Sequence, residues 1–527
     1  MRRPPAAPWV LTLALAAAAP AVARAQDAVP QPARVAGGLL QGLIAPGGVR
    51  EFRGIPFAAP PVGPLRWRPP QPAAPWSGVR DATSFGPRCM QLPIFSDMVF
   101  RSDGMSEDCL YLNVWAPPAA GRPRPVLLYF FGGGYLAGDG SEYRYDGASL
   151  ARRGIVVVTA NYRLGAFGFL ALAGLGAESP HHAAGDYGLL DQVAALQWVR
   201  RNISAFGGDP RHITIGGESA GSVSVCALMA SPLSRDLIAG AIGESGGLFP
   251  PIATVALDSA ERLGAAFVRG LGDTTVAALR ALPADSLLQA TRTAAFGTFP
   301  VTVDGDFLPA SPAEIFAAGR QARVPLLVGW NSEEQPWQAV LGNRAPTPDN
   351  WEAALRSLFG DRAGEALAEL PGTDTAQVIA SATVLAGARF TAFSTWKWAE
   401  LQGRTGEPVY RYLYVRPRPA PIVPGPTPPP YGAVHSAEIE YALGNLATNR
   451  VYPWTAQDDS VSAAMEGYFA AFVRTGDPNA GALPAWPAAD AGKTEQIMML
   501  DARPHAEAAP NEGAFRFLDT VYNGPGR

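Results

Sequence analysis

The run Gly217-Glu218-Ser219-Ala220-Gly221 combines a hydroxyl with glycines placed two residues to either side. It follows the β-branched stretch Ile213-Thr214-Ile215 and precedes the small and apolar stretch Ser222 to Ala230. That context predicts a sharp strand-to-helix turn that raises the serine hydroxyl at the C-terminal edge of a sheet, with small residues where Cβ atoms would otherwise collide. The new helix aims its first amides at an anion beside the serine. A hydroxyl so placed is a nucleophile for acyl transfer. A purely structural glycine-rich turn is the alternative, and the flanking strand and helix weigh against it.

Acyl transfer passes through an oxyanion, which needs preorganised donors. Gly132-Gly133-Gly134-Tyr135 follows the apolar run Val126 to Phe131, so its backbone can approach a substrate with no side chains between. Gly132, Gly134 and Ala137 also match the spacing of a dinucleotide fingerprint, but that motif must open a helix. Gly138-Asp139-Gly140-Ser141 would break one, so a dinucleotide is not expected.

A serine is a weak nucleophile at neutral pH and needs a base within about 3 Å. The chain has five histidines. His181 and His182 sit in a polar loop, His212 leads into the strand before Ser219, and His505 lies in the polar C-terminal region; surface roles suit these four. His435 stands between the Pro-rich stretch Arg416 to Pro430 and the patterned segment Ser436-Ala437-Glu438-Ile439-Glu440-Tyr441. It also falls in the order serine, acid, histidine. The acid must orient the imidazole and stabilise its cation. Glu333 and Glu334 follow the buried-strand pattern Pro325 to Val328, where the end of a parallel strand would present an acid. The residues alone leave both open.

These groups need a frame. Val126 to Phe131, Ile155 to Ala160, His212 to Ile215 and Pro325 to Val328 read as strands covered on both faces. Between them, Leu189 to Ile203 has helical periodicity and stops at Gly207-Gly208. Ser311-Pro312-Ala313-Glu314 opens a helix with a capping box. Ser462 to Val473 predicts a late amphipathic helix that ends near Gly476 and Pro478. The pattern is α/β, with a large, mostly parallel central sheet flanked by helices. One such sheet can organise a chain of 527 residues without a second domain. The Pro-rich stretch reads as a stiff surface loop rather than a linker.

Hydrophobic content of 48% with 17% charged residues supplies a substantial core. A formal net charge of -4 excludes the basic footprint of a nucleic-acid binder. Arg2 and Arg3, the apolar stretch Trp9 to Val22, and Ala23-Arg24-Ala25 read as an export signal over residues 1–25, leaving 26–527 as one catalytic domain. The apolar stretch is short for a membrane span, so no stable membrane insertion is expected once the signal is removed. Export leads to a periplasm or the exterior, where disulfides persist. Of three cysteines, Cys226 lies in the apolar run Val223 to Met229 and reads as a small buried thiol. Asn202-Ile203-Ser204 is a formal glycosylation triplet on a predicted helix and reads as incidental.

Together these segments resemble the type-B carboxylesterase and cholinesterase family from roughly Arg34 to Val521. The resemblance is carried by Phe52-Arg53-Gly54-Ile55-Pro56-Phe57-Ala58, Ser106-Glu107-Asp108-Cys109-Leu110-Tyr111-Leu112-Asn113, Asn161-Tyr162-Arg163, Leu189-Leu190-Asp191-Gln192 and Phe206-Gly207-Gly208-Asp209-Pro210. It implies an α/β-hydrolase fold, a small-molecule ester substrate, an acyl-enzyme and no metal or organic cofactor. It further implies Ser219 as nucleophile, His435 as base and Glu334 as acid, through Gly329-Trp330-Asn331-Ser332-Glu333-Glu334. Gly133, Gly134 and the amide of Ala220 would form the oxyanion hole, with Glu218 and Ser245 as supporting polar groups. Cys89 and Cys109 match the family's first disulfide, closing a loop of about 20 residues that contributes about 3 kcal/mol through the unfolded state. Arg66 with Glu107, and Arg163 with Asp191, match its buried ion pairs.

Three departures matter. Phe131 stands where esterases of this family often carry a histidine, which leaves a hole built of backbone amides intact. The segment between Cys89 and Cys109 has no tryptophan to hold choline by cation–π attraction, which argues against choline esters. Ala295-Phe296-Gly297-Thr298 lacks the paired aromatics of acetylcholine-specific members, which implies room for larger acyl groups. Two other readings compete: a binding or adhesion protein that has lost catalysis, against which the intact Ser219, Glu334 and His435 speak, and a hydrolase of amides or thioesters.

Overall fold

The computed structural model describes residues 27–524 apart from 119–120, 273, 296, 423–431 and 490–495. The export signal expected over residues 1–25, Phe296, and much of the Pro-rich stretch lie outside the described residues.

The apolar runs become the middle of one sheet. Its seven parallel strands, numbered in chain order, are β1 (Arg124–Phe130), β2 (Val156–Ala160), β3 (Gly208–Glu218), β4 (Gly240–Glu244), β5 (Leu326–Asn331), β6 (Val409–Tyr414) and β7 (Gln496–Leu500). Their spatial order is β2-β1-β3-β4-β5-β6-β7. Every residue of β2, β4, β5 and β6 is buried, as strands covered on both faces require. Antiparallel strands extend both edges to a total of twelve: Tyr111–Ala116, Val49–Pro56, Leu43–Ala45 and Asp27–Ala28 beyond β2, and His505–Ala508 beyond β7. The sheet is therefore mixed, with a parallel centre.

The order decides where a site can form. From β1 the chain crosses to β2 on one side and later returns to β3 on the other. This reversal opens a crevice at the C-terminal ends of β1 and β3, the place where open α/β sheets bind ligands. Phe130 pairs with Gly217, and Glu218 with Glu244, so the segments beyond β1, β3 and β4 emerge side by side.

The helices keep the expected pattern with shifted ends. Helix α1 (Tyr187–Asn202) passes into a 3-10 turn at Ile203–Phe206, which Gly207 ends with φ 84°. Helix α2 (Ala220–Ala230) begins directly after Ser219, and all of its residues are buried. Helix α3 (Pro312–Ala317) carries the capping box, with Ser311 accepting from the Glu314 amide. Helix α4 (Thr375–Gly387) continues through a π-helical turn, Ala388–Ala392, into α5 (Phe393–Gly403). Helix α6 (Ala456–Thr475) starts before Ser462, because Thr455 and Asp458 form a capping box ahead of the apolar pattern.

Cys89 and Cys109 form a disulfide across a sequence separation of 20. Arg66 grips Glu107 through two hydrogen bonds of 2.6 Å, and Arg163 grips Asp191 at 2.7 and 2.8 Å. Cys226 is fully buried, and burial pushes its thiol pKa up, away from the reactive thiolate. Asn202 is also buried; its side chain accepts from the Ala36 amide at 2.8 Å and donates to Trp198 O at 2.9 Å, so the triplet asparagine has a structural task.

Candidate active site

Ser219 holds φ 54° and ψ −122° between β3 and α2. A positive φ at a residue with a Cβ stores about 1–3 kcal/mol of strain, and it persists only where neighbours over-determine it. Here they do. The Ser219 amide donates to Glu244 O at 2.8 Å, and a Cβ on Gly217 would lie 2.5 Å from the carbonyl carbon of Gly221. A Cβ on Gly221 would in turn lie 2.1 Å from Phe130 O, so glycine is obligatory on both sides of the bend. Tyr135, Ser245 and Ser436 have positive φ as well, so strained backbone gathers around this crevice.

His435 Nε2 lies 2.9 Å from Ser219 Oγ, and its Nδ1 lies 2.6 Å from Glu334 Oε2. The second Glu334 oxygen accepts from the Asn331 amide at 2.8 Å. Glu333 turns the other way, where Oε2 accepts from the Ala433 amide at 2.7 Å. Of the two neighbours, then, the structure brings Glu334 to the imidazole. The His435 side chain remains 23% exposed while that of Glu334 is 0% exposed, so the imidazole faces the crevice and the carboxylate is sealed behind it. His181, His182 and His505 are exposed, and His212 is half-buried at the other end of β3.

Two supports fix the histidine loop. Arg418, at the start of the Pro-rich stretch, donates to Ser436 O at 2.7 Å and pairs with Glu440 at 2.7 Å. On the other side the π-helical turn between α4 and α5 presents Phe390 edge-on to the imidazole, 4.8 Å between ring centroids. π-turns inside helices recur at functional sites because the extra residue redirects a side chain.

The glycine turn after β1 lies directly over the serine. A Cβ on Gly132 would come within 3.0 Å of Ser219 Cβ, and Gly133 and Gly134 have φ 106° and 64°. Ala220 is the first residue of α2, where amides have no partner within the helix. Turns come after Gly134, with no helix of the kind a dinucleotide fold would need. Phe131 stacks on Tyr162 at 4.3 Å between centroids, and its carbonyl accepts from the Tyr162 hydroxyl at 2.7 Å. The neighbouring Arg163 pairs with Asp191, which ties the Tyr162 segment to helix α1.

Carboxylates crowd the imidazole. Glu218 Oε1 is 3.3 Å from His435 Nε2, and Glu218, Glu244 and Glu438 are all buried. Burial lowers the pKa of His435, but the fields of Glu218, Glu334 and Glu438 outweigh it and lift the value to about 9. Burial pushes Glu218 up to about 8, and the field of Glu438 adds to the rise. Burial likewise pushes Glu438 up to about 7, with the field of Glu334 adding there. Glu244 is raised well above the usual carboxylate range by burial and then by Glu438; its Oε1 accepts from the Tyr129 hydroxyl at 2.8 Å. Ser245 Oγ donates to Glu438 Oε1 at 3.3 Å.

Sequence reasoning singled out Glu218 and Ser245 but passed over Asn331, Phe390 and Glu438 as site residues. Their signals were faint: Asn331 ends β5, three residues before Glu334, and Glu438 lies three residues after His435.

A parallel sheet with helices on both faces, a serine elbow at its switch point and an acid after a later strand is an α/β-hydrolase fold. The model of the carboxylesterase family matches residues 30–518, and the chain belongs to that family. It is 37% identical over 466 residues to fumonisin B1 esterase of Sphingopyxis macrogoltabida, covering 84% of this chain and 82% of that protein. It is 34% identical over 502 residues to cocaine esterase of Homo sapiens, covering 89% and 87%. A solved structure of PNB esterase superposes with TM-score 0.78 at 33% identity, covering 92% of this chain and 99% of that one. The protein is a carboxylic ester hydrolase.

Proposed function

We propose that Ser219, His435 and Glu334 hydrolyse small-molecule carboxylic esters through an acyl-enzyme. One observation carries this reading: the continuous line from Ser219 Oγ to His435 Nε2 at 2.9 Å and from Nδ1 to Glu334 at 2.6 Å. In the unprotonated imidazole, with Nδ1–H donated to the carboxylate, Nε2 presents a lone pair to the serine hydroxyl; the reactive fraction therefore grows as pH rises toward the His435 pKa of about 9. Ser219 Oγ attacks the ester carbonyl carbon as its proton passes to Nε2. The oxyanion is held by the amides of Gly133, Gly134 and Ala220, and the imidazolium by Glu334 and the surrounding carboxylates. Nε2 then gives its proton to the departing alcohol oxygen. Water, deprotonated by the same nitrogen, attacks the acyl carbon, and Ser219 leaves with the proton restored.

Residues 1–25 act as an export signal and 26–527 form one catalytic domain that works in a periplasm or outside the cell. The Cys89–Cys109 disulfide supports that destination. The named substrates of the relatives, fumonisin B1 and cocaine among them, point to esters of varied size.

Ser219→Ala is the direct test. Hydrolysis of p-nitrophenyl esters and covalent labelling by an organophosphonate both disappear. A variant that still turns over esters would end this mechanism.

A further inference from the structure

The acid and the base reach the crevice on different segments, Glu334 just beyond β5 and His435 some way beyond β6. A shift of about 1 Å between catalytic groups can lower a rate about a hundredfold, so something must hold the two segments in register. We propose that Asn331 is the positioning residue that does this, with Glu438 fixing its side-chain amide. The inference rests on Glu334 and His435 serving as acid and base.

Asn331 is the last residue of β5 and is 1% exposed. Its backbone N–H donates to Glu334 Oε1 at 2.8 Å, which leaves Oε2 as the oxygen turned to His435. Its side-chain Nδ2 donates twice, to Val434 O at 2.8 Å and to Glu438 Oε2 at 2.5 Å. Val434 directly precedes His435, and Glu438 lies three residues beyond it. One residue thus bonds the acid through its main chain and both flanks of the base through its side chain.

The chemistry of the partners requires an asparagine. A carbonyl and a carboxylate are both acceptors, so the group between them must bring two hydrogens, which a side-chain NH2 does. Rotating the amide would set Oδ1 against two acceptors. The orientation is held although Oδ1 is left buried and without a hydrogen bond. Glu438 is held from behind by Ser245 Oγ at 3.3 Å, and Ser245 N–H is pinned to Gly329 O at 2.8 Å. The bracket therefore spans the ends of β4 and β5 and the histidine loop.

The test compares Asn331→Ala, Glu438→Ala, their double variant, Glu438→Gln and His435→Ala in the full-length mature protein. Steady-state hydrolysis of p-nitrophenyl acetate, the rate of phosphonate labelling and thermal melting are measured for each. Asn331→Ala is expected to lower kcat and the labelling rate together by between about tenfold and about a hundredfold, with KM within about threefold of wild type. The double variant falls no further than the worse single, because both changes open one bracket. Glu438→Gln, which can turn its oxygen to Asn331 and its nitrogen to Ser245, recovers most of the loss. Full kcat in a folded Asn331→Ala protein, multiplying losses in the double variant, or no recovery in Glu438→Gln overturns the proposal. Should Asn331→Ala not fold, Asn331→Ser and Glu438→Gln carry the same comparison. Retained activity in His435→Ala would instead overturn the assignment of the base, which separates the two failures.

Discussion

Replacing Glu334 with glutamine preserves volume and removes charge, and two hydrogen bonds set the cost. Both carboxylate oxygens are occupied by donors, His435 Nδ1 at 2.6 Å and the Asn331 amide at 2.8 Å. Glutamine offers one oxygen and one NH2, so only one donor can be met. If the oxygen faces Asn331, the NH2 faces His435 and forces its proton onto Nε2, where it confronts the serine hydroxyl and cannot accept. If the oxygen faces His435, two N–H groups oppose each other in a sealed pocket, at about 1–3 kcal/mol for the unmet donor. Either way the imidazolium loses its nearest counter-charge. With charge centres about 4 Å apart and an effective dielectric near 20, that attraction is about 4 kcal/mol. Such a loss is about a thousandfold in rate. With the tautomer or donor conflict added, kcat falls between about 10³- and about 10⁴-fold, the range expected when the orienting acid of a triad is neutralised. KM changes little, because the Glu334 side chain has no exposed surface for substrate. The assay is steady-state hydrolysis of a p-nitrophenyl ester by Glu334→Gln beside Glu333→Gln. The Glu333 carboxylate accepts from the Ala433 amide, which a glutamine oxygen can also do, so that variant stays close to wild type. A kcat loss below about tenfold in Glu334→Gln, or a larger loss in Glu333→Gln, refutes the reasoning.

Above about pH 8, where Glu218 is ionised beside a histidine of pKa about 9, Glu218→Gln removes a negative charge 3.3 Å from His435 Nε2. The histidine pKa falls, the neutral base persists to lower pH, and the acid limb of the kcat/KM profile moves to lower pH. An unmoved limb would show that Glu218 does not act on the base. Cys89→Ser with Cys109→Ser opens a loop with a sequence separation of 20. Stability measured by urea unfolding then drops by about 3 kcal/mol. Glu244→Gln keeps an acceptor for Tyr129 and removes a carboxyl whose pKa is raised by burial. A raised carboxyl binds its proton more tightly folded than unfolded, so wild-type stability falls as pH climbs above the ordinary carboxyl range. The variant is spared that fall, and its Tm advantage over wild type widens from about pH 5 to about pH 8. A constant Tm difference would place the titration elsewhere.

Much of the fold was legible because its signals are local. Continuous apolar runs announce strands covered on both faces, and the parallel centre of the sheet is implied by their alternation with helices. The outermost antiparallel strands on one edge were not legible: Asp27–Ala28 and Leu43–Ala45 are too short for a period to register. Helix α6 began early because a polar capping box, rather than the apolar stripe, sets its first turn.

The same division runs through the site. The bend at Ser219 and the glycine turn at 132–134 are encoded by residue types within a few positions, since steric freedom at a tight turn depends on which Cβ atoms are absent. Partnership across 216 positions, as between Ser219 and His435, or 101, as between Glu334 and His435, is not a local property. Adjacent glutamates at 333 and 334 are alike in composition and surroundings along the chain. What separates them is the pairing of Glu333 with Val434, which turns one carboxylate to the Ala433 amide and leaves the other facing the imidazole. The sequence by itself determined the bend at Ser219 and the glycine turn above it, because short-range sterics write both. Only the tertiary structure decided which carboxylate meets the imidazole and how Asn331 ties their segments together, because strand order and chain return bring those groups within hydrogen-bond reach.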